Sequence, residues 1–405
     1  MACRSFSVPL HINYTSGDMN MKRLTCLFAW LLAVVAMAND GVFSVNGGHV
    51  VPLKETDVAV TKEVLTISIG DDNFARVDVQ YEFTNRGKAK TIDVGFEAQA
   101  PYNLPDGGLK TGKHPYIYDF TVEMNGQKLP IRNYVVKSGD EDKMTDFVPI
   151  DPTQWRETND RDDEMCGLIN KKTREHINHS YAYCFKATFK EGKNVVHHTY
   201  RYNVSGGVYQ HFNIPYWLLP ATRWANHQID DFTLRIKVKN TAKQFCLLND
   251  GLWNGAQWRV TSGTGKVHTI KAGWGDGTEY YEFSLRNGTV EWHKTNFRPK
   301  SNFAIISPDN VLFYRDDFKL GRFYDRTSAV LAPYEKLTDE DQKKGTTEGI
   351  ANSRILRNLP YASRGYVFKD AKLAAYFKSL WWYMPDPSWQ QSTADFTTQE
   401  REWLK

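Results

Sequence analysis

Strict alternation of apolar and polar residues is the feature that most narrows what this chain can become. In Arg76-Val77-Asp78-Val79-Gln80-Tyr81-Glu82-Phe83 every second side chain is apolar, and Phe232-Thr233-Leu234-Arg235-Ile236-Lys237-Val238-Lys239 repeats the pattern. Leu65-Thr66-Ile67-Ser68-Ile69 and Tyr281-Glu282-Phe283-Ser284-Leu285 do the same. A period of two sets one face of a strand on a core and the other in water, the usual state of antiparallel sheets. Two sheets packed face to face bury many one-sided strands economically. The expected fold class is therefore mainly β, an antiparallel β-sandwich over residues 39–307 with a small C-terminal α-helical module. The 22 Phe, 21 Tyr and 12 Trp supply ample core material, which excludes a disordered chain. Asn125-Gly126 and Asn287-Gly288 read as hairpin turns between strands.

The N-terminus carries a different signal. An apolar run from Leu24 to Met37 follows Met21-Lys22-Arg23 and ends in Ala36-Met37-Ala38. This reads as a secretory signal peptide cleaved after Ala38, too short to span a membrane comfortably at about 20 residues. Residues 1–20 read as an upstream extension, with the start at Met1 or Met21. The mature protein is expected to be exported, periplasmic or extracellular, without a transmembrane segment after signal cleavage. The full chain's 51 Lys and Arg against 47 Asp and Glu give no nucleic-acid signature. Cys166, Cys184 and Cys246 follow the signal, and in an oxidising compartment three cysteines suggest one pair plus one thiol. Cys166 falls in a polar insertion near residues 138–177. Cys184 is in phase with Ala182 and Lys186, away from Tyr183 and Phe185. These two are expected to form a disulfide, and Cys246 to be a small buried hydrophobe.

Few residues advertise chemistry. Ser262-Gly263-Thr264-Gly265-Lys266-Val267 lacks the first Gly and the Ser or Thr of a phosphate loop and reads as a hairpin-like turn. His176 and His179 read as part of a solvated loop, and adjacent His197 and His198 point to opposite strand faces. Asp160, Asp162 and Glu164 lack the rest of a calcium loop and read as a solvated acidic surface. Trp217, Trp224, Trp253, Trp258, Trp274 and Trp292 read mainly as core or end-covering residues. No catalytic residue, cofactor or metal ligand is assigned. The leading expectation is an exported, non-enzymatic binding or scaffolding protein whose partner is a cell-envelope polymer, a glycan or a protein. The alternative is a hydrolase of cell-wall or host glycans or peptides, with carboxylates that converge only in space.

Trp224-Ala225-Asn226, Ile229-Asp230-Asp231-Phe232-Thr233-Leu234-Arg235-Ile236 and Phe245-Cys246 are similar to an uncharacterised family of exported Gram-negative proteins. The similarity spans most of residues 39–307 and implies location and architecture, not chemistry. Beyond Tyr324 the periodicity becomes helical. Thr338-Asp339-Glu340-Asp341 opens a short helix, and Asp370 caps a second running to about Tyr383. Its apolar face holds Leu373, Tyr376, Phe377, Leu380 and Trp381, and Pro385 and Pro387 stop it. Thr397-x-x-Glu400 is a capping box for a last helix.

Arg357-Asn358-Leu359-Pro360-Tyr361-Ala362-Ser363-Arg364-Gly365-Tyr366-Val367-Phe368, with Trp382-Tyr383-Met384-Pro385, resembles the YARHG domain. The resemblance covers residues 335–405 and implies a small bacterial extracellular module. Its motif falls on Tyr361, Ala362, Ser363, Arg364 and Gly365, with Ser363 at the Arg position and Arg364 at the His position. Read from the residues alone, Gly365 ends a helix in a left-handed conformation, and Tyr361, Tyr366 and Phe368 pack on the next helix. Residues 308–334, with Val311, Phe313, Tyr314, Phe318, Phe323 and Tyr324, are expected to pack along the sandwich. The polar stretch from Glu335 to Thr347 is expected to let the module move.

Overall fold

In the computed structural model of the chain, residues 47–48, 51–53, 56–70, 72, 74–101, 108–138, 148–158, 167–207, 210–253, 257–273, 275–308, 311 and 344–404 are described. Twelve principal strands run in chain order: β1 (Val58–Ile69), β2 (Phe74–Asn85), β3 (Lys90–Gln99), β4 (Ile117–Met124), β5 (Arg132–Lys137), β6 (His179–Phe189), β7 (Gly192–Asn203), β8 (Gln210–Trp217), β9 (Ile229–Leu248), β10 (Arg259–Lys271), β11 (Glu279–Phe297) and β12 (Phe303–Ile306). The large sheet has the order β8-β12-β9-β1-β2-β7-β4, and β11 lies on the other side of β9 with β10 beyond it. A second sheet places β3 and β5 on either side of β6.

Alternation makes these strands one-sided, as expected. In β2 the buried residues are Ala75, Val77, Val79, Tyr81 and Phe83, and every residue between them meets water at least in part until Asn85. Rings of the two sheets touch: Phe96 of β3 lies 5.1 Å from Tyr200 of β7, and Phe120 of β4 stacks on Tyr183 of β6 at 4.4 Å. Each buried ring of this kind is worth about 1.5–3 kcal/mol, so these contacts help hold the two sheets together. Trp224, Trp253 and Trp292 are fully buried, which places them in the core.

The expectation of a wholly antiparallel arrangement needs correction, because the large sheet is mixed. β9 runs parallel to β1, from Phe232 opposite Glu63 to Val238 opposite Ile69, and Gly47–Gly48 runs parallel to β8. A two-residue turn can join only antiparallel neighbours. Strands as distant in sequence as β1 and β9 are free of that constraint, and alternation carries no information on direction.

Two turn signals also resolve differently. Asn125 and Gly126, at φ 50° and 80°, do form the tight turn after β4. Asn287-Gly288 instead lies inside β11, and Ser262 to Val267 lies inside β10. The left-handed residues Asn287 (φ 43°) and Gly263 (φ 68°) face each other across a register shift. A Cβ on Gly263 would stand 2.1 Å from the Asn287 carbonyl oxygen. The glycine therefore serves a close backbone approach in a bulge, not a reversal.

Apart from one turn at Gly108–Thr111, the α-helices among the described residues are C-terminal: α1 (Asn352–Ser363), α2 (Ala371–Ser379) and α3 (Thr398–Trp403). Asp370 caps α2 by accepting from the Leu373 amide at 2.9 Å, as expected, although α2 ends at Ser379 and not near Tyr383. Ile355, Leu356, Leu359, Leu373, Tyr376, Phe377 and Trp382 form a core of their own, which Ala242 of β9 joins from the sheet. All described residues belong to one compact unit, Gly41–Lys405. Of the expected connecting segment, Val311 is fully buried and its carbonyl accepts from the Gly273 amide at 2.7 Å. Residues 312–343, the expected helix at Thr338, the expected signal peptide, Trp274, and Asp160 to Cys166 lie outside the described residues.

Candidate functional site

The five motif positions sit at the C-terminal end of α1, and four are structural at close range. Ala362 and Ser363 are buried, and the Ser363 hydroxyl donates to the Pro360 carbonyl at 3.0 Å. The Arg364 side chain is only 3% exposed, so its charge must be met inside the protein. It is met fully. Nη1 and Nη2 reach Glu400 at 3.1 and 3.0 Å, Nε reaches Asp395 at 3.1 Å, and the Pro360 and Asp395 carbonyls accept at 2.6 and 3.2 Å. Glu400 is also the reciprocal partner in the Thr397 capping box, at 2.8 and 3.1 Å. One guanidinium thus pins α3 to the end of α1. Gly365, at φ 90°, reverses the chain as expected, and the Tyr366 amide donates back to the Tyr361 carbonyl at 3.0 Å. Tyr361, the first position of the motif, stays half-buried beside Tyr366, Trp389 and Phe396.

The module is docked, not tethered. Alternate residues of β9, β11 and β10 face it: Ala242, Glu282, Ser284, Arg286, Lys266 and His268. Carbonyls just past a helix C-terminus lack helical donors and carry partial negative charge. Here they are capped from the sheet. Arg286 donates to the Arg364 carbonyl at 2.9 Å and to Asp386 at 3.2 Å. Beyond α2, Lys266 donates to the carbonyls of Trp381 and Tyr383 at 3.3 and 3.1 Å, and Ser284 to that of Trp382 at 3.3 Å. Burial draws the Lys266 ammonium below its usual pKa. The Trp381 indole lies 3.7 Å from the His268 imidazole with parallel planes, and His268 Nε2 stands 2.6 Å from the buried Glu282 carboxylate. This explains the run from Glu282 to Arg286 that is buried on both faces. The expected freedom of the module is corrected by these contacts.

A second group of polar residues is buried near the start of β6. His179 is 4% exposed, so the reading of a solvated loop is corrected for it, while His176 is exposed. Burial pushes the His179 imidazole down to about 4. His114 is pushed down to about 3, also mainly by burial, with its Nε2 3.0 Å from the Gln99 carbonyl. The Tyr181 ring packs edge-on against both imidazoles, at 5.7 and 5.3 Å. Burial raises the pKa of the Tyr181 phenol. On the opposite face of the same sheet burial raises the Glu97 carboxyl, against the Ser180 hydrogen bond and the Arg223 charge. Glu97 and His179 therefore do not converge. Cys184 is a half-buried free thiol pushed up to about 11 by burial and by the Asp93 charge, and Cys246 is fully buried as expected. Among the described residues no three His, Cys, Asp or Glu gather as metal ligands would, and no helix is long and apolar enough to cross a membrane.

Comparison with known proteins decides part of the identity. Residues 330–405 match the YARHG domain. The C-terminal module is a YARHG domain. Residues 38–210 match a domain of unknown function, DUF4424. No curated protein matches. Among solved structures, a candidate nutrient binding protein from Legionella pneumophila is 16% identical with a TM-score of 0.47, covering 90% of this chain and 97% of that one. An M1 zinc metallopeptidase from Deinococcus radiodurans is 10% identical with a TM-score of 0.22, covering 63% of this chain and 43% of that one. Baculovirus P35 is 11% identical with a TM-score of 0.23, covering 64% and 98%. Likeness at these levels transfers no activity.

The residues that dock the YARHG module escaped the sequence reading. Glu282, Ser284 and Arg286 occupy the polar phase of an alternating strand, the phase that ordinarily faces water. Nothing local marks them as covered. A buried Arg at the motif's fourth position was visible only as a substitution.

Proposed function

We propose that this chain is an exported, non-enzymatic protein of the cell envelope that binds or scaffolds, its strands forming a two-layered sandwich with the YARHG module fixed upon it. The single observation that carries the reading is the use of the motif: Arg364 and Gly365 are spent on holding the module together, while the aromatic side chains beside them remain partly open. A module built this way offers a surface and not a reacting group. YARHG domains are typical of extracellular and periplasmic proteins, which supports export. The reading includes signal cleavage after Ala38, a sandwich region at 39–307, a packed connection at 308–334 and a module at 335–405. It also includes pairing of Cys166 with Cys184 on export. Cys166 lies outside the described residues, but its neighbour Gly167 lies beside Ile177, about 20 Å of strand from Cys184, so pairing requires Gly167 and the short strand after it to leave Ile177.

Fractionation of cells expressing the full chain tests the reading. The protein should appear in the periplasm or medium with Asn39 at its N-terminus and should sediment with isolated envelopes. Retention in the cytoplasm with an uncut N-terminus, or turnover of an envelope polymer by the pure protein, would contradict it. Non-reducing peptide mapping of the exported form should show Cys166 joined to Cys184, and two free thiols would remove that part alone.

A further inference from the structure

On the surface of the YARHG module three half-buried rings stand together: Tyr361, Tyr366 and Trp389. Their centroids lie 6.1, 6.4 and 6.2 Å apart, at the corners of a nearly equilateral triangle. Their planes meet steeply, at 61° between the tyrosines and at 75° and 85° between each tyrosine and the indole. The exposed flank continues at Val367, which is 45% exposed.

Each ring is held by the motif or by what the motif holds. Tyr361 is on the last turn of α1, braced by Phe396 at 5.1 Å. Phe396 is in turn fixed by the Arg364 guanidinium, 4.1 Å over its face. Tyr366 returns to Tyr361 through the Gly365 turn, and its carbonyl accepts from the Tyr383 hydroxyl at 2.6 Å. Trp389 is placed by a chain of backbone bonds: its amide donates to the Asp386 carbonyl at 3.1 Å, and the Asp386 amide donates to the Gly365 carbonyl at 2.7 Å. Asp386 itself is held by Arg286 of the sheet. The corner is therefore preorganised from three separate segments.

We propose that this aromatic corner binds a compact quaternary or methylated ammonium group. A sugar ring stacks on a flat, exposed aromatic face, whereas three steeply inclined rings make walls around a point. A rounded cation draws on the negative faces of several rings at once, and a tertiary or quaternary ammonium gives up its hydration more readily than a primary amine. Charge does not oppose this occupant. The Arg286 and Arg364 guanidiniums behind the corner are each met by carboxylates, Asp386 for the first and Asp395 and Glu400 for the second, so neither stands as an unmatched cation against the ligand. Asp386 is held below the usual carboxylate range by hydrogen bonds from Ser388 and Arg286, so it is charged at neutral pH. The proposal rests on the binding reading above and names the chemistry of its ligand.

Calorimetric titration of the full chain with choline, against its neutral isostere 3,3-dimethylbutanol, tests the proposal. Choline should bind saturably, and the isostere should bind at least about tenfold more weakly, since it fills the corner without the cation–π attraction. Trp389→Ala should abolish choline binding, Trp389→Phe should retain part of it, and Tyr118→Ala on the distant strand β4 should leave it unchanged. Should Trp389→Ala not fold, the choline–isostere comparison on the natural chain decides alone. Binding to phosphatidylcholine vesicles that free choline competes away would assign a lipid headgroup as the source, and binding of free choline alone would assign a solute. No saturable choline binding, equal binding of the isostere, or a chitin oligosaccharide that binds the same rings while choline does not would overturn the proposal. Envelope sedimentation independent of choline would leave the broader binding reading standing in each of those cases.

Discussion

Single side chains carry disproportionate weight where charge or backbone geometry is enclosed. Arg364→Ala would remove the guanidinium that meets the buried Glu400, and breaking a buried pair costs about 3–5 kcal/mol. Chemical denaturation should show a loss of that size, whereas Arg354→Ala, whose partner Asp370 is exposed, should change stability by less than about 1 kcal/mol through the pair itself. The buried histidines predict a pH dependence. His114 and His179 have native pKa values near 3 and 4 against 6.5 when unfolded, so the unfolded chain binds more protons below neutrality. Their contribution is fully present above about pH 6.5 and is lost as pH falls toward 4, with a slope of up to about 1.4 kcal/mol per pH unit for each. Urea midpoints measured from pH 8 to pH 4.5 should fall accordingly, and His179→Gln should flatten the curve. An unchanged slope in that variant would remove His179 from the account.

Elements show why some of the fold was legible and some was not. The alternation in β2 and in the first half of β9 fixed which residues face the core, and the Asp370 cap and the Thr397–Glu400 box marked two helix starts correctly. Asp370→Ala should lower the denaturation midpoint through loss of the α2 cap. Asn287-Gly288 misled because a left-handed pair serves a bulge as readily as a hairpin. The deciding fact, Gly263 pressed against Asn287 from the neighbouring strand, is non-local. Strand direction was equally invisible, since β1 and β9 pair across a long stretch of chain. Gly263→Ala should therefore destabilise by more than the about 1 kcal/mol of a simple glycine replacement, because its Cβ would meet backbone that cannot yield.

For the whole molecule, the central claim is that the YARHG module is bound to the sheet as part of its fold. The polar phase of β10 and β11 looked solvated in sequence because a strand's outer face records only local pattern, and the covering layer comes from residues about a hundred positions later. The aromatic corner was legible only as a Tyr, a Tyr and a Trp near one motif, since their inclination depends on three converging segments. Amide hydrogen exchange on the full chain tests docking most directly, with the natural protein compared with Arg286→Ala. The account predicts that the amides of residues 364–366 and 380–386 are protected together in the natural protein and lose protection together in the variant, while β1, β2 and β7 are unaffected. Protection in the module that is the same with and without Arg286 would show that it folds independently of the sheet and would contradict the account.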